Sequence, residues 1–209
     1  MYDNIATTKI ISVKKETWQF PAKDYVIDDE TIRRIEEFAL VLFNKGHCEY
    51  QHNQRGGASP LKIMEDHKIG KIGEFVTWKF LQEELNLFYD PPDLTIYDKK
   101  NKSWDLDLQD IHVKTAATPY KDQWSWIVQW QNQNGIGGKD KEILNKQSDS
   151  WTSLVVLDKS KNYKSGKVAS LIRTSLLPLR EPFKASLQDT KKAVYLSDVC
   201  DLFDRRQGE

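Results

Sequence analysis

The apolar residues of this chain change period at Pro91-Pro92, and that change limits the fold more than any other feature. Before the prolines, apolar residues recur at helical spacing. After them they fall in short alternating runs, the pattern of strands with one face buried. A chain that is helical first and extended afterwards packs its helices against a sheet, so the expected class is α/β: a single domain with a central mixed β-sheet flanked by helices. Its 209 residues suffice for one substantial core, and no linker is long enough to separate two.

The first helix is expected from Asp29 to Asn44, where Ile32, Ile35, Phe38, Leu42 and Phe43 form one stripe between an aspartate cap and Gly46. Gly46 to Pro60 reads as a long polar loop, and a second helix follows with Ile69, Ile72, Phe75, Val76 and Phe80 on one side. Strands are expected at Leu94–Tyr97, Ser103–Leu108, Ile111–Ala116, Ser125–Trp130, Ser153–Leu157, Val168–Ile172 and Ala193–Leu196. Helices are expected at Lys141–Lys146 and Ser197–Arg206. The chain thus divides into an N-terminal helix and loop region (28–66), a core (67–130), and C-terminal strands and helix (131–209).

Charge and cysteine content exclude some functions. The 31 Lys+Arg balance 31 Asp+Glu, which disfavours a protein that coats nucleic acid by bulk charge and leaves a focused basic cleft open. Cys48 and Cys200 stand far apart without a CxxC or CxxH grouping, so zinc ribbons and disulfide scaffolds are not expected and both read as free thiols. No run approaches the ~18 apolar residues that span a bilayer, and Met1 to Ile11 lacks a signal-peptide layout. A cytoplasmic protein without membrane contact is the expectation.

The densest chemistry lies in SWDLDLQDIHVKT, residues 103–115. If Gln109 and Asp110 form a two-residue turn, Leu108 pairs with Ile111, Asp107 with His112, Leu106 with Val113 and Asp105 with Lys114. Alternation then sends Asp105, Asp107, His112 and Lys114 to one face and the aliphatic residues to the other. One reading is a solvated hairpin face with an exposed ion pair of little energetic weight. The other is a cleft in which two carboxylates hold a hard divalent cation, Mg²⁺ or the more imidazole-tolerant Mn²⁺, beside a lysine. Such an arrangement suits phosphodiester hydrolysis, with the lysine positioning water or stabilising charge at phosphorus.

These residues resemble the PD-(D/E)xK nucleases, the family that includes most type II restriction endonucleases. The resemblance covers about Lys68 to Trp130 and runs through Glu74 in GKIGEFVTWKFL, Pro92-Asp93 or Trp104-Asp105, and His112-Val113-Lys114. It implies a restriction endonuclease-like fold and a metal-dependent endonuclease acting on double-stranded DNA. If both strands of a palindrome are cut, a homodimer follows. Asp105, ranked ahead of Asp93, Asp107, His112 and Glu74 are the implied metal-binding set, and Lys114 completes the catalytic group. The chain departs from the motif where His112 replaces the usual acid; Asp107, opposite it, is the substitute carboxylate, and His112 is a ligand or an outer partner. The alternatives are a phage or repair nuclease that recognises DNA structure, and a catalytically inactive DNA-binding module of the same fold.

Gln54 and Arg55, beside Gly56-Gly57, are candidate contacts to base edges, against the alternative of a plain surface loop. Gln129 lies on the strand after the lysine, within possible reach of the site, and Lys139 is a candidate phosphate contact. The NGIGGKD stretch around Lys139 fails the spacing of a phosphate-binding P-loop, because Asp140 follows the lysine where Ser or Thr is required. On the Ser125–Trp130 strand, Trp124, Trp126, Val128 and Trp130 share a face that reads as core.

Overall fold

The computed structural model describes residues 23–52, 58–96, 107–108, 111–119, 123–130, 140, 145 and 150–207. Helix α1 spans Asp29–Asn44 as its stripe and caps require. The Asp28 carboxylate accepts from the Thr31 backbone N–H at 2.8 Å and so satisfies an otherwise open helical donor. Ile32, Ile35, Ala39 and Leu42 form its buried face, and Gly46 leaves the helix at φ 71°, a left-handed conformation that glycine adopts without a Cβ clash.

The expected loop from Gly46 to Pro60 is replaced in part by a short helix, α2, at His47–His52. Among its described side chains the one buried apolar anchor is Cys48, at 0% exposure, too little for periodicity to reveal. Cys48 and Cys200 are both buried free thiols, as expected.

Helix α3, Pro60–Leu85, begins where the expected polar loop ends. Ser59 caps it, accepting from the Lys62 N–H at 3.2 Å, and Pro60 occupies the first turn, where its missing N–H costs no hydrogen bond. Asn86 ends it at φ 54°, with its N–H donated to the Leu81 carbonyl.

Among the described residues six strands follow or flank these helices: β1 (Tyr25–Val26), β2 (Ile111–Ala116), β3 (Ser125–Gln129), β4 (Trp151–Leu157), β5 (Ser165–Arg173) and β6 (Lys191–Tyr195). Four make a mixed sheet in the order β1-β5-β4-β2, with β2 parallel to β4 and the other pairs antiparallel. β3 and β6 form a separate antiparallel pair, and helix α4, Leu196–Gln207, closes the chain.

The strand expected at Leu94–Tyr97 is absent over the described residues 94–96. There the Asp93 carboxylate accepts from the Thr95 N–H at 2.7 Å, a local side-chain turn that competes with strand pairing. Of the segments expected at 103–108 and 141–146, only Asp107, Leu108 and Asn145 are described. Leu108 bonds reciprocally with Ile111, at 3.0 and 2.7 Å, across Gln109-Asp110, the pairing expected for a two-residue hairpin.

The four-stranded sheet separates two cores. Val113, Val155, Leu157 and Leu171 face α1 and α3, where Ile35, Ile72, Phe75, Val76 and Leu81 meet them. Ala116, Leu154, Val156 and Ala169 face the other way, toward Trp126 and Val128 of β3, Val194 of β6 and Val199 of α4. Trp126 is only 1% exposed, and its indole N–H donates to the Val155 carbonyl at 2.8 Å, which satisfies the ring's one polar atom inside the core.

Gly73 allows α3 to lie directly on β2. A Cβ at that position would stand 1.9 Å from Thr115 Oγ1, so no larger residue fits without displacement. Among the described residues, no helix is long and apolar enough to cross a membrane.

Candidate functional site

Alternation along β2 positions the site. Ile111 and Val113 join the helix-side core and Thr115 meets Gly73, so His112 and Lys114 project from the opposite face. The hairpin turn returns Asp107 beside His112, as the sequence pairing requires. Asp107 Oδ2 lies 2.8 Å from His112 Nδ1 and also accepts from the Val113 N–H at 2.8 Å.

The central residue of the cluster is one that sequence reasoning used only to reject a phosphate loop. Asp140 is 6% exposed, and its Oδ2 receives both Lys114 Nζ at 2.5 Å and the Gln129 backbone N–H at 2.6 Å. Its Oδ1 lies 3.2 Å from His112 Nε2. The result is a chain of charges, Asp107, His112, Asp140, Lys114, that runs from the hairpin to the end of β3. No local signal marks Asp140, because its lysine partner lies 26 residues away and reaches it only through the fold.

His112 sits between the two carboxylates at 4% exposure, yet neither ring nitrogen lies in line for a hydrogen bond. Burial by itself pushes the His112 pKa down, but the Asp107 charge, aided by contacts to Asp107 and Asp140, outweighs it and raises the pKa above the ordinary value. Burial likewise opposes ionisation of Asp140, and the Lys114 charge with the His112 contact overcomes it, holding Asp140 well below the usual carboxylate range.

The other sequence candidates are dispersed. Glu74 is buried on α3, on the helix side of β2, and accepts from Lys71 Nζ at 2.7 Å. Gln129 reaches the cluster through its backbone, and Asp93 is exposed in its turn. Asp105, Gln54, Arg55 and Lys139 lie outside the described residues.

As donors for a cation, Asp107 and His112 have suitable chemistry, His112 only when its ring is neutral. The described residues nevertheless hold no group of three or more His, Cys, Asp or Glu arranged for a metal. Asp107 and Asp140 approach different nitrogens of the same imidazole, so their carboxylates diverge instead of converging on one point. A complete ligand set therefore needs a residue such as Asp105 besides these.

No family model, curated protein or solved structure matches the chain.

Proposed function

We propose that the chain is a metal-dependent endonuclease of PD-(D/E)xK type, with a restriction endonuclease-like fold, that hydrolyses double-stranded DNA as a homodimer. The observation that carries this reading is the Lys114 ammonium, set on the same strand face as Asp107 and His112 and fixed by a buried carboxylate. The order of helix, hairpin, lysine strand and following strand supports it.

Asp107 and Asp105, two residues apart in the sequence, would hold Mg²⁺ or Mn²⁺, with His112 beside them. The ion would supply charge neutralisation at the phosphate. In the reaction, a water oxygen bonds to phosphorus as a P–O ester bond breaks, and a proton lost by that water passes through solvent to the departing oxygen. An ammonium already paired with Asp140 donates hydrogen bonds, so Lys114 stabilises negative charge developing at phosphorus instead of accepting the water proton. Lys114 and Asp107 each keep 18% of the side chain exposed, enough for contact with a substrate while His112 and Asp140 remain covered.

The test is incubation of wild-type protein and Lys114→Ala with unmodified linear DNA in Mg²⁺, Mn²⁺ or EDTA. Discrete, metal-dependent fragments are expected, with cleavage by the variant reduced by about 10²-fold or more. Smeared products would favour a structure-recognising nuclease. Intact DNA in both metals would overturn the enzymatic reading. The replacement of the motif acid by His112, together with the closed Lys114–Asp140 pair, would then favour a DNA-binding module without catalysis, seen as a gel shift without cutting.

A further inference from the structure

A cavity lies at the opposite end of β2 from His112. It holds about 330 Å³ and opens where residues 117–119 and 158–160 leave the carboxyl ends of the parallel pair β2 and β4. That position is where ligands enter parallel sheets, and the volume lies within the range of small-molecule sites. Ala117 is three residues past Lys114, about 10 Å along an extended chain.

We propose that this cavity binds a nucleotide, the base against Trp124 and the phosphate at Lys159. Trp124 and Pro119 are among the residues that line the cavity. An aromatic side chain suits a planar ring, because every base has a π-face that stacks. Thr118 and Ser160 add hydroxyls, and Asp24 and Asp158 add carboxylates. The edge of a base presents both donors and acceptors, which suits a lining of hydroxyls and carboxylates better than a plain hydrocarbon ring does.

The charges select the anionic end. Asp158 accepts from the Ser160 N–H and hydroxyl at 2.8 and 2.6 Å, and Asp24 is paired with Lys161 at 2.6 Å and lies 3.8 Å from Lys167. Lys159 is exposed and makes no ion pair among the described residues, so it is the lining cation most open to a phosphate. This site does not depend on hydrolysis at Lys114, and its test is separate.

The experiment titrates nucleoside monophosphates, a short single-stranded oligonucleotide and inorganic phosphate into the ¹⁵N-labelled full chain, read by NMR. Monophosphates are expected to shift the Trp124 indole N–H and the amides of 117–118 and 158–160. Trp124→Ala should weaken binding about tenfold or more and Trp124→Phe much less, as stacking requires. Trp124 also packs on the second core. The exposed substitution Lys159→Glu, expected to weaken binding about tenfold at low salt, therefore tests the same site without disturbing packing. Shifts with the oligonucleotide alone would support the site with nucleic acid as the source of the nucleotide. Equal shifts from inorganic phosphate, unchanged affinity in Lys159→Glu, or no shift at millimolar ligand would each overturn it.

Discussion

Asp140→Asn tests the central claim about the site, that one buried carboxylate holds it together. The substitution keeps the size of the side chain and an oxygen for the Gln129 N–H, but removes the negative charge facing Lys114 and His112. Breaking a buried pair by removing one partner costs about 3–5 kcal/mol. The lower end applies here, because Lys114 is 18% exposed and can turn toward water, and because His112 can release its proton. A loss of about 3 kcal/mol at pH 7 corresponds to a drop in Tm of about 6–12 °C for a chain of this size. The pH dependence adds a sharper test. Asp140 has a folded pKa below its ordinary 3.8, so its contribution is present above that value and lost as pH falls through the folded pKa. His112 has a folded pKa above 6.5, so its contribution is full below 6.5 and lost as pH rises through the folded pKa. Wild-type stability from this pair therefore peaks in mildly acidic solution, and the difference from Asp140→Asn should narrow on the alkaline side. Urea unfolding of both proteins at about pH 5, 7 and 8.5 reads this directly. A destabilisation under about 1 kcal/mol at pH 7, or one that grows steadily with pH, would refute the reasoning.

Other outcomes follow from the packing. Gly73→Ala should destabilise by about 1–3 kcal/mol through the clash with Thr115 Oγ1, and Thr115→Ala in the same chain should recover much of that loss in a double-mutant cycle of chemical denaturation. Trp126→Phe should lower stability by about 2 kcal/mol, since it leaves the Val155 carbonyl without its indole donor and opens a gap between the sheets; calorimetry would register it. Asn86→Gly should raise Tm slightly and Asn86→Ala lower it, each by about 1 kcal/mol or less, because φ is 54° at this helix end.

The local pattern of the sequence carries much of the architecture. The bounds of α1 and β2 coincide with the expected ones, and the hairpin pairing of Leu108 with Ile111 follows from the two-residue turn and the alternation around it. These are short-range consequences: caps, helical stripes and strand alternation act between residues a few positions apart. The same alternation places Asp107, His112 and Lys114 together on one face.

The α2 helix and the turn at Asp93 escape that reading, because each rests on one or two contacts instead of a repeating pattern. Tertiary structure alone decided the partner of the lysine. Asp105, the expected neighbour of Lys114 across the hairpin, lies outside the described residues, and the fold supplies Asp140, buried against the end of β3 and joined to Lys114, His112 and the Gln129 backbone at once. It also decided that α3, and Glu74 with it, lies on the helix side of the sheet, through the close approach of Gly73 to Thr115. Local periodicity fixes which way a side chain points, whereas the group it meets there depends on packing between segments distant along the chain, for which a single sequence carries no spacing rule.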